Sequence, residues 1–255
     1  IKYRLPRNII ARMQSLEYAR SFLAARILLD KINANMIISG AFGLFEKKTV
    51  IAVGGYDNST MGEDMELVVR LHEFSRMNRK PYKIDFAQDA ICWSQTPEKL
   101  SELGKQRKRW QRGLFQCMWG HRKMLANPRY GAVGLLSYIY FLFYELLSPF
   151  IELFGILTMV LSVMMDMLNV KFMLVFLAYY ALYGILLTLT AYFSRIYTID
   201  QRFSFRELIL SITAWFFETT CLRFYLEFVR VTAFVGYKKN KLNWDKLERK
   251  KMNRI

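Results

Sequence analysis

The sequence is poor in the residues that staple a fold or ligate a metal: of 255 residues, three are cysteine and two are histidine. Cys92, Cys117 and Cys221 lie far apart and form no CxxC pair, so neither a disulfide framework nor a cysteine-based zinc site is expected, and they read as apolar fillers. His72 and His121 stand near no cysteine pair, which removes a histidine-based metal site as well. No internal repeat or low-complexity segment is visible. The opening residues, Ile1 to Asn8, lack the apolar core of a signal peptide and lack a starting methionine. They read as the continuation of a chain whose upstream half is missing.

Charge is scarcest in the middle. Residues 131–194 carry only Glu145, Glu152, Asp166 and Lys171, whereas residues 1–130 carry 23 Lys/Arg against 12 Asp/Glu. The formal net charge is +16 and 53% of residues are hydrophobic. A positive balance suits nucleic acid, anionic headgroups or phosphate-bearing substrates. With an apolar second half it fits a membrane protein whose basic residues face the cytoplasm, and nucleic acid is not an expected partner.

Three regions follow: residues 1–130 as a charged globular part with interfacial helices, 131–236 as a membrane region, and 237–255 as a basic cytoplasmic tail. In the first, residues 9–29 place Met13, Leu16, Phe22, Leu23 and Ile27 at helical spacing. Met36-Ile37-Ile38-Ser39 predicts a short buried strand, Gly40-Ala41-Phe42-Gly43 a tight passage, and Leu44-Phe45 its continuation. Gly54-Gly55 predicts a turn closing the next element. Residues 63–77 are read as a helix with Leu67, Val68, Leu71 and Phe74 on one face, and residues 82–86 and 90–93 as strands. Thr96-Pro97 offers a cap and a first helical position for the helix that carries Gln106-Arg107-Lys108-Arg109-Trp110. Mixed strands and helices point to an α/β domain.

Residues 133–165 are mostly apolar and are read either as one long helix kinked at Pro149 or as two short segments meeting there. Residues 172–193 form a clean second span. Residues 208–235 are a third candidate whose Glu218, Arg223, Glu227 and Arg230 are expensive in hydrocarbon, so its latter half is expected along the interface. Basic residues put the globular part, the 195–206 loop and the tail on the cytoplasmic side, which requires an even number of crossings where the plainest count gives three.

Two groups of residues carry chemistry. Gly62-Glu63-Asp64 places two carboxylates at a helix start, where the macrodipole favours their charged forms. A carboxylate there can act as a general base, although acidic residues in a first turn also serve simply as caps. Gln106, Arg109 and Trp110, at i, i+3 and i+4, share a face that offers an amide, a guanidinium fork and an indole. Arg107 and Lys108 point to other faces. A basic amphipathic helix on a membrane, anchored by Trp110, gives the same pattern.

Taken in order, Ile38-Ser39-Gly40-Ala41-Phe42-Gly43, Gly54-Gly55-Tyr56-Asp57, Gly62-Glu63-Asp64-Met65-Glu66 and Gln106-Arg107-Lys108-Arg109-Trp110, then apolar helices, resemble the second half of a processive family 2 glycosyltransferase. Cellulose, chitin, hyaluronan and poly-N-acetylglucosamine synthases share that order. The resemblance is detailed over residues 10–165 and mostly topological beyond. It implies the latter half of a nucleotide-diphospho-sugar transferase domain of the GT-A kind, followed by interfacial and transmembrane helices in a multi-pass cell-membrane protein. It also implies an inverting, processive transfer of sugar from a nucleotide-diphosphate donor, a UDP-sugar by preference, to a growing glycan.

Asp64 then takes the role of general base beside Glu63, Gln106, Arg109 and Trp110 line the acceptor and diphosphate side, and Ser39-Gly40 forms an acceptor-facing turn. The family's usual Thr before the acidic pair is Gly62 here. Its DxD motif, which binds donor and divalent metal, does not occur in this sequence, so the Mg2+ or Mn2+ that the family uses is expected to be bound by an upstream half. Two rival readings are a non-processive enzyme acting on a membrane lipid, which would make no long polymer, and a non-catalytic membrane scaffold or transport subunit.

Overall fold

A computed structural model describes residues 8–18, 26–80, 82–87, 90, 92, 95–199 and 205–237. The expected helix over residues 9–29 is present at both ends, as α1 (Ile9–Tyr18) and α2 (Arg26–Lys31), and its middle lies outside the described residues. A short α3 (Lys47–Ala52) ends in the Gly54-Gly55 turn, whose residues have φ of +90° and +75°. Both glycines take up carbonyls of the last turn, Gly54 N–H to Ile51 O and Gly55 N–H to Val50 O. Only glycine adopts two such angles in succession without strain.

α4 spans Glu63–Met77, as its pattern predicts. Glu63, Asp64 and Glu66 lie in its first turn, where the positive end of the macrodipole favours them. Met65, Val68, Val69 and His72 recur at helical spacing and are buried. α5 (Leu100–Gly120) is the longest helix of the charged part. One apolar cluster joins Met65 and Val69 of α4, Cys117 and Met118 of α5, and Ala34 and Met36 to Val133, Tyr138 and Leu146. A second joins Met13 of α1 and Leu103 of α5 to Ala214 and Leu222, so α5 belongs to both cores.

The expected strands do not form: among the described residues there is none. Met36 is buried and Ile38 half-buried as read, but Leu44 is almost wholly exposed. Side chains replace the ladder. Asn33 donates to Tyr82 O (3.1 Å) and accepts from Ile84 N–H (3.0 Å), and Asp30 accepts from Phe86 N–H (2.7 Å). Tyr82 O, Ile84 N–H and Phe86 N–H thus find side-chain partners where no strand lies beside them among the described residues. Of residues 90–93, two lie outside the described residues.

The Thr96-Pro97 start is also corrected, because α5 begins three residues later, at Leu100. The backbone of residues 97–98 is taken up by α1: Gln14 donates to Pro97 O (2.8 Å) and Asn8 to Glu98 O (3.1 Å). These contacts hold the chain just before α5 against the start of α1.

Beyond α5, α6 (Val133–Leu146) is π-bonded over Val133–Ser137 and Phe141–Leu146, and α7 (Ser148–Met164) follows at a bend of 47°. The break beside Pro149 realises the two-segment alternative. Ser137 Oγ donates to Ala34 O (2.6 Å), which ties α6 to the core. Residues 172–193, read as a second span, lie within α8 (Val170–Ile199), whose described apolar stretch, Val170–Leu186, is by itself too short for a crossing. The third is divided into α9 (Phe205–Phe217), a π turn at Glu218–Leu222, and α10 (Arg223–Thr232). Among the described residues no single helix is long and apolar enough to cross a membrane, and only the bent α6–α7 pair meets that requirement jointly.

The charges of α10 are paired with neighbouring helices. Arg223 holds both oxygens of Glu152 on α7 and donates to the Tyr180 hydroxyl of α8 (3.2 Å). Arg230 donates to Gln111 of α5 (2.9 Å), to the Glu145 carbonyl and to Glu227. These pairs dock α10 on α5 and α7, while Phe224 and Phe228 of the same helix stay exposed.

His72 is fully buried. Its Nε2–H donates to Asn35 O and its Nδ1 accepts from the Tyr82 hydroxyl, both at 2.7 Å, so one neutral tautomer pins two loops to α4. Burial pushes its pKa down to about 4. The unfolded chain, near ~6.5, takes up a proton first as pH falls. This contribution to stability is therefore complete above ~6.5 and declines towards pH 4, by about 3 kcal/mol. Denaturant unfolding from pH 7 to 4 should accordingly show a steeper loss in wild type than in His72→Gln; equal slopes would reject the buried neutral histidine.

Candidate active site

The acidic pair is anchored from two directions. Asp64 Oδ2 accepts from Gly40 N–H (3.1 Å), and Oδ1 accepts from Met65 N–H (2.9 Å). The Ser39–Phe42 turn closes with Phe42 N–H on Ser39 O (3.0 Å) and leans its glycine on that carboxylate. A Cβ at Gly40 would meet Asp64 Cβ at 3.4 Å, so the turn and the helix start are in van der Waals contact. The structure thus brings together Ser39, Gly40 and Asp64, with Glu63 half-buried beside them.

α5 reaches the same place through backbone. A Cβ on Gly113 would lie 2.7 Å from Gly62 N and 2.8 Å from Gly62 Cα, and one on Gly62 would lie 3.1 Å from Gly113 Cα. Neither glycine can carry a side chain without moving a helix. Gln116 completes the junction by accepting from Met61 N–H (2.7 Å) and the Thr60 hydroxyl (3.1 Å). Gln106 and Gly113 are two turns apart on one face of α5. Trp110 and Arg109 precede Gly113 by three and four residues, about 4.5 and 6 Å along the axis. Gly62, where the family pattern has threonine, is therefore the residue that lets α5 touch the acidic turn.

On that face the Oε1 of Gln106 is buried and has no hydrogen-bond partner among the described residues. Trp110 is 39% exposed, Arg109 is half-exposed, and Lys108 is half-exposed on the adjacent face. Arg107, placed by the sequence on another face of the helix, is buried and ion-paired with Glu17 of α1 at 2.5 Å. Tyr18, next to it, has its hydroxyl pushed up to about 12, chiefly by burial, with Arg107 acting in the opposite sense. Arg26 of α2 also belongs here: burial draws its guanidinium down to about 10 and the nearby charge of Asp64 acts against that.

A second network braces α4. Glu66 accepts from Arg70 (2.7 Å) and lies 3.4 Å from His121 Nε2, while His121 Nδ1 lies 2.5 Å from Glu73. Arg70 also donates to Val53 O and Gly55 O, which holds the glycine turn against α4. Burial alone would lower the His121 pKa, but its bonds to Glu66 and Glu73 outweigh burial and raise it. The C-terminal end of the α5 dipole acts in the same direction, favouring the charged imidazole.

Sequence reasoning missed Gly113, Gln116, Glu17, Tyr18 and Arg26. One signal was available for Gly113: a glycine inside a helix costs about 1 kcal/mol against alanine, and its position two turns after Gln106 indicates a close approach on that face. Among the described residues no group of three His, Cys, Asp or Glu could hold a metal ion, so the residues present do not supply the ligand set for the divalent ion the resemblance implies.

Residues 2–228 match Glycosyl transferase family group 2, and the chain belongs to that family. Membership carries with it the nucleotide-diphospho-sugar transferase fold. Two relatives are poly-beta-1,6-N-acetyl-D-glucosamine synthases, from Staphylococcus aureus (strain COL) and Staphylococcus epidermidis (strain ATCC 35984). Each is 32% identical over 120 residues, 47% of this chain and 26% of the relative. No solved structure matches.

The glycine contact yields a test whose sign opposes helix propensity. Gly113→Ala should lower stability by about 1–3 kcal/mol through overpacking, although alanine is the better helix former. Gly120→Ala, where a Cβ meets nothing within 4 Å, should leave stability unchanged or slightly raised. Thermal unfolding of both variants reads this directly, and a stabilised Gly113→Ala would refute the close crossing.

Proposed function

We propose that this chain is part of a membrane glycosyltransferase that extends a polysaccharide processively, with inversion, from a nucleotide-diphosphate sugar. The observation that carries the reading is the junction itself: Asp64, oriented by Gly40 N–H, sits on the turn that α5 contacts through Gly62 and Gly113. Asp64 takes the proton from the acceptor hydroxyl as that oxygen attacks the anomeric carbon. The bond to the diphosphate breaks, and the nucleoside diphosphate leaves from the opposite side. Glu63 adds negative charge beside the base.

Arg109 offers a planar fork for two phosphate oxygens, Gln106 an amide for hydroxyls, and Trp110 a surface for a sugar ring. The Ser39-Gly40 turn forms the wall beside the base. A divalent ion of the kind the family uses would supply charge neutralisation for the leaving diphosphate, and its ligands would have to come from residues other than the described ones. The polymer in the relatives' names, poly-beta-1,6-N-acetyl-D-glucosamine, makes UDP-N-acetylglucosamine the first donor to try.

Membrane embedding is supported by surface chemistry. Phe150, Ile151, Phe154, Leu157, Val160 and Met164 of α7 are exposed, as are Phe172, Leu174, Val175, Phe176 and Tyr179 of α8. Apolar surface this continuous matches hydrocarbon and not water.

Asp64→Asn keeps the size of the side chain and removes the base. In the full-length enzyme, polymer synthesis should fall at least a hundredfold with membrane insertion unchanged, since general-base catalysis contributes about 10²–10⁴-fold. Retention of more than a tenth of the wild-type rate would refute the assignment. Formation of glycolipid without polymer would identify a lipid acceptor instead.

Topology is tested with single cysteines in a background lacking Cys92, Cys117 and Cys221. An impermeant maleimide applied to intact cells should label a cysteine at Asn169 and not one at Lys105. The reverse pattern would overturn the cytoplasmic placement of α4 and α5.

A further inference from the structure

Trp110 is held from outside its own helix. The Arg107 guanidinium carbon lies 4.6 Å from the centroid of the Trp110 ring, within cation–π range. A guanidinium this deeply buried requires an anion, and Arg107 finds it in Glu17 of α1, with 10% and 32% of the two side chains exposed. The next residue of α1, Tyr18, places its ring centroid 6.2 Å from that of Trp110 at 36°. Two consecutive residues of α1 therefore act on one indole, one directly and one through Arg107.

We infer that α1 positions Trp110: Glu17 fixes Arg107 as a flat support on the indole, Tyr18 limits its swing, and together they set the plane in which the ring meets an acceptor sugar. The consequence for the acceptor rests on the glycosyltransfer reading; the positioning of the ring does not. A tryptophan side chain turns about two torsions, and packing that covers part of the ring removes most of that freedom. Glu145 of α6 also acts on Arg107 electrostatically, so Glu17 is not the only negative charge the guanidinium meets.

The test uses the full-length protein labelled with 5-fluorotryptophan, the Trp110 resonance being identified by its disappearance in Trp110→Phe. In Glu17→Gln, the Trp110 fluorine signal should shift or broaden while the Trp119 and Trp215 signals stay in place. The KM for an acceptor oligosaccharide should rise at least fivefold with the donor KM unchanged. Glu17→Gln combined with Arg107→Gln should be no worse than Arg107→Gln alone, because the two residues act in series. An unmoved Trp110 signal in folded Glu17→Gln, or additive losses in the double variant, would overturn the inference. If Glu17→Gln disturbs all the signals, Glu17→Asp, one methylene shorter with the charge kept, is read by the same criteria. A moved signal with an unaltered acceptor KM would reject the role in acceptor positioning. A wild-type protein that moves no sugar would reject the glycosyltransfer reading while the fluorine signal still decided the role of α1.

Discussion

Two helices can approach until their backbones touch only where neither carries a side chain, and the site depends on one such point. Gly62 at the start of α4 and Gly113 within α5 meet there, closely enough that a methyl group on Gly113 would overlap Gly62 N. The contact fixes where α5 crosses the acidic turn, and hence where Gln106, Arg109 and Trp110 lie relative to Asp64. Gln116 adds direction by accepting from Met61 N–H, so α5 can neither roll nor slide without giving up that bond.

From this crossing, polar contacts run outward along both sides of α5. Gln111 donates to Leu146 O of α6 (2.9 Å), Arg112 donates to Ala233 O just past α10 (2.8 Å), and Arg230 of α10 returns to Gln111. The π-bonded end of α6 leaves the Glu145 carbonyl available to Arg230. α5 is thereby bonded to the apolar helices by side chains that immediately follow Trp110. These hydrogen bonds lie in a poorly solvated region, where each is stronger than it would be in water.

Legibility differed by element. The bounds of α4 were readable because its apolar spacing, its acidic first turn and its glycine start agree. The break near Pro149 was readable because proline opens a helix more readily than it continues one. The strands over residues 36–39 and 82–86 were misread for a physical reason. β-branched and aromatic residues announce an extended, half-buried chain, but whether that chain pairs with another strand or with Asn33 and Asp30 side chains is decided by what lies beside it. Thr96-Pro97 failed similarly, since Gln14 and Asn8, over eighty residues earlier, take its carbonyls.

By itself the sequence determined the order of the motifs, the helical register that puts Gln106, Arg109 and Trp110 on one face, and the placement of Glu63 and Asp64 at a helix start. These are local properties, fixed by spacing along one chain and by the helix period. Only the tertiary structure decided that Arg107 pairs with Glu17, that Tyr18 and Arg26 lie beside the candidate site, and that Gly113 is the point where α5 comes closest to Gly62. Each of those depends on a partner from another helix, and a buried charge or a bare backbone takes its meaning from the surface brought against it.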